Sequence, residues 1–356
     1  MHLHANDDPS HCDALSRNPL ADPAFIPSNV GRVGKLPGDR LPGIDAFRYF
    51  SFIAIVILHS ITLPDAKLST TSLIINESTR FAVPFFFLTS GYFLSARVGP
   101  AQLEIRRLIG RLLPVMLFWT LIYIVSKRAF GVFLHVRSII YTLLTGGPAF
   151  HLWFLPALGL AATLAILTRK INIRIVWLIA VGLYLLGLIC GPYNFLFGLH
   201  LAAKFDTRNG PFFGFLFLFA GVRLRKAQAS PNLLLALALI TTGFCLQLAE
   251  CFVIAHAAHL PITYHDCLLG TIPFGIGVFQ LAQYLNRASW PRVFAAIGQM
   301  ALGMYCIHLL WLWAAAHFIR HVRISDTVAI IVITVTMSTF SVMALSQVPM
   351  LRRYLR

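Results

Sequence analysis

Arg48 and His59 are the first residues in this chain whose types and spacing allow chemistry. They lie eleven residues apart in one apolar stretch, Gly43 to Ser60, GIDAFRYFSFIAIVILHS. At about 100° per residue, eleven steps come back to within about 20° of the starting face, so on a helix both side chains project from one side about 16 Å apart. Hydrocarbon does not solvate an ionisable group, which makes such a residue inside a membrane span a functional candidate. An imidazole with an ordinary pKa near about 6.5 can take a proton from a hydroxyl or attack a carbonyl itself. The structural readings stay open beside this one: Arg48 as a guanidinium reaching headgroups, His59 as a neutral ring hydrogen-bonded at the far interface.

Four further stretches carry polar groups that such chemistry would need. Arg97, Arg106, Arg107 and Arg111 crowd one segment end with only Glu104 among them. Guanidinium groups bind phosphate in bidentate fashion, so this corner suits a polyanion such as a CoA thioester, or else anchors headgroups. In RFAVPFFFLTSGYFLSARV, Thr89 and Ser90 offer hydroxyls to a ligand's amides, while Ser90 and Gly91 equally suit close approach of another helix. HLWFLPALGL carries His151, Trp153 and Phe154, which read as an aromatic belt or as groups orienting a polar acceptor. ALGMYCIHLLWLW places Tyr305 and His308 three residues apart on one face, as a functional pair or a mutually satisfied one. Glu250, His256, His259, His265 and Asp266 read as a wet polar vestibule. Their irregular spacing, like that of His2, His4, His11 and Cys12, matches no familiar metal site, so no metal is expected.

The elements that must position these residues follow from composition. The chain of 356 residues is 58% hydrophobic and 12% charged, with a mean hydropathy of +0.75. Soluble domains carry roughly 25% charged residues, so the fold class is an all-α polytopic membrane protein. About ten membrane helices are expected in one bundle, near 44–63, 79–97, 106–127, 150–168, 172–190, 211–226, 232–256, 262–285, 294–318 and 326–347. The fourth opens on the broken run GGPAFHLWFLP and the sixth is short and Gly-bounded, which marks both as candidate half-helices. Residues 1–42 read as a disordered cytoplasmic tail, 43–347 as the membrane domain and 348–356 as a basic cytoplasmic tail. A net charge of +16 would suit nucleic acid, but here Lys and Arg sit between apolar segments, where they set topology and meet lipid. Most of them fall on the N-terminal side of the first span and on loops sharing that side, so both termini are expected in the cytoplasm of a multi-pass inner-membrane protein.

Taken in order, these stretches resemble the acyltransferase-3 family of integral membrane acyltransferases over roughly residues 43–345. The resemblance rests on Arg48 and His59, FFFLTSGYFL, RRLIGRLLP, HLWFLP and LGMYCIHLL. It implies transfer of an acyl group, usually acetyl, from cytosolic acyl-CoA to a hydroxyl or amine of a sugar or lipid-linked glycan, here most simply a hydroxyl of a cell-surface or lipid-linked polysaccharide sugar. It implies Arg48 and His59 as catalytic residues and Arg106, Arg107 and Arg111 as donor contacts; joined with the reading of the second span, the donor's arm would pass Thr89 and Ser90. His151, Trp153, Tyr305 and His308 would face the acceptor. This chain departs from the family's basic motif, because three residues rather than two separate Arg107 and Arg111. A transporter or flippase for glycolipid or acyl precursors is the alternative; the one-sided arginine cluster and the lack of a visible inverted repeat favour the transferase.

Overall fold

The structure is a computed structural model that describes residues 41–63, 70–96, 99–129, 149–199, 207–208, 210–228, 230–258, 268–288, 290–319 and 324–355. The expected N-terminal tail, apart from its last two residues, lies outside them, as do Arg97, His259, His265 and Asp266. Among the described residues every regular element is helical: α1 Pro42–Ile61, α2 Thr70–Thr79, α3 Ala82–Leu94, α4 Ala101–Ala129, α5 Phe154–Leu167, α6 Ile173–Cys190, α7 Pro192–Leu196, α8 Pro211–Ala227, α9 Leu233–Ala258, α10 Thr271–Tyr284, α11 Arg292–Gly298, α12 Ala301–Phe318, α13 Ile324–Leu345 and α14 Arg352–Leu355.

Seven of these helices are long and apolar enough to cross a membrane: α1, α4, α5 with its flanking 3₁₀ turns, α6, α9, α12 and α13. The other three expected segments appear as α3, α8 and α10, of 13, 17 and 14 residues. At about 1.5 Å per residue α3 is about 20 Å long, short of a hydrocarbon core of about 30 Å. The sequence explains the shortening. A turn at Arg80–Phe81 parts α2 from α3, and α8 starts at Pro211 behind Gly210 in a positive-φ conformation.

These short helices form the interior. Phe85, Phe87 and Leu88 of α3 and Phe215, Phe217 and Leu218 of α8 are fully buried or nearly so. Their backbones touch: a Cβ on Gly91 would lie 1.9 Å from the Leu218 carbonyl oxygen, and one on Gly221 2.0 Å from that of Leu88. Gly91 thus serves helix contact, and Ser90 beside it is left for another task.

The start of α1 is fixed by Asn286, whose Oδ1 accepts from the Gly43 N–H at 2.8 Å and the Ile44 N–H at 3.3 Å, two donors that the helix itself leaves unpaired. Gly298 of α11 lies where a Cβ would come within 1.9 Å of the Asp45 carbonyl oxygen. These contacts set the height of Arg48, one turn further on. The C-terminal basic segment includes α14, which docks on α4: Trp119 Nε1 donates to the Tyr354 carbonyl at 3.1 Å, and Tyr354 stacks on Phe118.

Candidate functional site

One face of α1 carries both Arg48 and His59, as the spacing requires, and each meets a different environment. At the Arg48 end a cavity is lined by Arg48, by Thr89 and Ser90 of α3, by Arg111 of α4, by Phe154 of α5 and by Gln299 and Tyr305 around the start of α12. Arg48 Nη1 donates to Asp45 Oδ1 at 3.0 Å, and its guanidinium lies 5.1 Å from the Phe93 ring centroid. That pairing and stacking hold the charge at the wall, where it faces the same space as Arg111. Thr89 is 1% exposed, and its hydroxyl has no hydrogen-bond partner among the described residues. A buried hydroxyl without a partner costs free energy that a ligand's polar group recovers.

The three arginines of α4 are not equivalent. Arg111 lines the cavity, whereas Arg106 and Arg107 do not. Helix geometry explains why: Arg107 lies one turn earlier, about 40° around from Arg111, and Arg106 about 140° around. Glu104, their nearest acid in sequence, is buried and bound by Arg169 Nη2 at 2.7 Å, at the far end of α5.

At the other end, aromatic and imidazole rings close on one another. His59 stacks on His308, with ring centroids 5.5 Å apart, and meets the edge of Phe150 at 5.2 Å. His308 in turn lies 5.0 Å from His151, edge to face. The 3₁₀ turn Phe150–Trp153 carries His151 inward, where Nε2 pairs with the Cys306 carbonyl at 3.1 Å. Tyr123 donates to that same carbonyl at 2.7 Å, the Tyr305 hydroxyl donates to the His151 carbonyl, and His308 Nδ1 pairs with the Tyr305 carbonyl. His59 is half-buried and turned onto this cluster.

Tyr305 joins the two ends. Its ring lies on the cavity wall and also within 5.4 Å of His151 and 5.7 Å of His308. Tyr305 lines this cavity, whereas His59 and His308 are not among its lining residues.

An acyltransferase domain family matches residues 41–346, almost the whole described chain. This protein belongs to the acyltransferase-3 family. With its seven apolar helices it is an integral membrane protein of that family. Relatives bear other names. A serine/alanine racemase of Enterococcus gallinarum is 30% identical over 305 residues, covering 78% of this chain and 41% of that protein. An amino-acid racemase of Enterococcus faecalis is 31% identical over 193 residues, covering 50% of this chain and 27% of that protein. The acyltransferase-3 chain spans less than half the length of these relatives. No solved structure matches it.

Of the acceptor-side candidates in this family member, His151, Tyr305 and His308 converge with His59. Trp153 turns the other way, packing on Phe213 at 6.1 Å with the Arg208 guanidinium 5.9 Å from its own ring. Of the polar vestibule expected around Glu250, His259, His265 and Asp266 lie outside the described residues, and Glu250 itself forms a structural joint. Glu250 accepts from the Leu269 and Gly270 N–H groups at 3.0 and 2.8 Å and from the Tyr193 hydroxyl, holding the start of α10. His256 of that set is exposed.

Sequence reading passed over a polar network behind α2. Glu77 is fully buried, accepts from Gln247 Nε2 at 2.9 Å and faces Arg80 Nε at 3.8 Å; Arg80 also donates to Asn76 Oδ1 at 3.0 Å. Thr271 extends the network to α10 by donating to Gln247 Oε1 at 2.9 Å. Burial raises the Glu77 carboxyl above its ordinary range, while the Arg80 charge pulls it back down. The signal in the sequence was an acid and a base three residues apart ahead of an apolar run.

Proposed function

We propose that this protein moves an acyl group, most simply acetyl, from acyl-CoA to a hydroxyl of a cell-surface or lipid-linked sugar, as in exopolysaccharide acetylation. The observation that carries this reading is the cavity lined by Arg48, Arg111, Thr89 and Ser90, which ends on a tyrosine in ring contact with the histidine cluster. Phosphates of the donor bind at Arg111, with Arg107 one turn further out and Arg106 as a more distant charge. The pantetheine arm lies along Thr89 and Ser90, whose hydroxyls meet its amides. Arg48, tied to Asp45, contributes fixed positive charge at the cavity wall rather than an oxyanion contact, since helix rise puts it about 16 Å from His59.

The acceptor enters at the His59 end. His59 serves there as general base toward the hydroxyl, or takes the acyl group as a transient acyl-imidazole. Closing the distance between the cavity and His59 requires Tyr305 to turn aside when the donor is bound. In this orientation the Arg48 end faces the cytoplasm, as the distribution of Lys and Arg supports.

The racemase names belong to proteins of more than twice the shared length, and they make amino acids a second acceptor class to test. Purified protein in lipid vesicles is given radiolabelled acetyl-CoA with either a polysaccharide oligomer or serine and alanine. Label appearing in an ester of the oligomer supports the proposal. Label in an N-acyl amino acid moves the acceptor assignment, and CoA release with neither acceptor removes it.

A further inference from the structure

Two nitrogens of the histidine cluster have their protonation decided by their neighbours. A carbonyl oxygen only accepts, so the pairing of His308 Nδ1 with the Tyr305 carbonyl puts the ring proton on Nδ1, and the pairing of His151 Nε2 with the Cys306 carbonyl puts it on Nε2. Neutral rings so held leave a bare lone pair at His308 Nε2 and at His151 Nδ1. Both atoms are buried, on residues 0% and 1% exposed, and neither has a hydrogen-bond partner among the described residues. Buried acceptors are nearly always satisfied, so a pair without donors marks a place completed by something the described residues do not supply. Of the two, His308 is the one stacked on His59, the half-buried member of the cluster.

We infer that His308 Nε2 is the base that takes the acceptor's hydroxyl proton, beside a His59 left to meet the acyl group. The inference rests on the transferase reading above. As the acceptor oxygen bonds to the acyl carbon its O–H bond breaks and the proton passes to His308 Nε2. In direct transfer the C–S bond of the thioester breaks as the C–O bond forms and the departing sulfur receives that proton. By way of acyl-His59 the C–S bond breaks first, the sulfur leaves as a thiolate, and it takes the proton from His308 once the acceptor oxygen has displaced His59. The products are an ester and a free thiol, and His308 returns to its neutral form. The Tyr305 carbonyl has a positioning part: it holds Nδ1–H, stabilises the imidazolium that forms, and keeps Nε2 turned to the acceptor.

The test compares H308A and H308Q with wild type and H59A, in vesicles with radiolabelled acetyl-CoA and the acceptor that wild type modifies, alongside binding of CoA itself. The expected result is a loss of about 10²- to 10⁴-fold in transfer for H308A, unchanged CoA binding, and partial recovery when free imidazole is added. H308Q, whose amide accepts a hydrogen bond but holds no proton, loses as much; it carries the test alone if H308A does not fold. Transfer within threefold of wild type in either variant overturns the inference, and so does a loss in H308A that imidazole does not restore while CoA still binds. With H59A inactive in the same experiment, those outcomes leave the transferase reading standing; full activity in H59A as well removes both histidines from the chemistry, and wild type that transfers no label to any acceptor removes the transferase reading itself.

Discussion

The two ends of α1 are built on opposite principles. At the Arg48 end, side chains surround open space: two arginines share a cavity with a buried hydroxyl that has no partner among the described residues. At the His59 end the polar groups are tied to backbone. Tyr123 and His151 meet at the Cys306 carbonyl, Tyr305 donates to that of His151, and His308 pairs with that of Tyr305. One end is arranged to admit a charged, extended ligand and the other to hold the His151 and His308 rings at fixed positions, with Tyr305 between the two. Admission tolerates loosely held side chains, whereas proton or acyl transfer needs reacting atoms held near their working geometry. The burial of the helices follows the same division: α1 and α12 have more than half of their apolar stretch buried, against about a quarter for α4, α6, α9 and α13.

The sharpest way to break this comparison is His59→Ala. Transfer should fall by at least about 10²- to 10⁴-fold, the range for acid–base help, while membrane insertion and CoA binding stay intact. Near-normal turnover would remove the His59 end from the chemistry. Next comes Arg111→Ala, which removes a charge-assisted contact worth about 1.5–3 kcal/mol. KM for acyl-CoA should rise at least tenfold with kcat little changed, whereas Arg106→Ala, pointing away from the cavity, should change KM less than threefold. Equal effects of the two would contradict the placement of the donor.

A smaller effect is expected from Thr89→Val, which keeps the shape and deletes the hydroxyl. With a neutral hydrogen bond worth about 0.5–1.5 kcal/mol, donor affinity measured by calorimetry should fall about two- to tenfold. Thermal stability of the free protein should hold or rise, because no buried hydroxyl is left unpaired; lost stability with unchanged affinity would make Thr89 purely structural. The smallest prediction concerns Glu77, in α2 outside the seven long helices. Burial raises its carboxyl, so the folded state keeps a proton that the unfolded state loses near its ordinary value of 4.5. Stability therefore falls as pH rises from about that value through the raised one, and Glu77→Gln, with no such proton, should lack this slope in thermal unfolding. Identical slopes would remove Glu77 as its source.

Much of this was legible in the chain before any coordinates. Arg48 and His59 announce one helix face because their spacing matches the helical period, and ionisable groups in an apolar run stand out. The convergence of His151, Tyr305 and His308 on His59 was not legible from spacing, since it depends on how the Phe150–Trp153 turn enters the bundle. Arg106, Arg107 and Arg111 looked alike in sequence, and only the rotation of α4 against α1 and α3 separates them. The role of Gly91 was visible as a possibility; the Leu218 carbonyl beside it decides the matter. Arg80 and Glu77 were missed because their partners Gln247 and Thr271 lie far along the chain, and the joint made by Glu250 was not visible because its ligands are backbone N–H groups that no sequence pattern displays.

The most direct test of the central claim is to map where the reactive end of the donor comes to rest. A CoA analogue bearing a photoreactive group in place of the acyl chain is bound to the protein in vesicles, illuminated, and its adducts located by mass spectrometry. Adducts on Tyr305, His308 or His59 that disappear with excess CoA and in Arg111→Glu are the result expected of a passage from the basic cavity to the histidines. Adducts confined to the outer faces of α9 or α13, unaffected by either treatment, would contradict it.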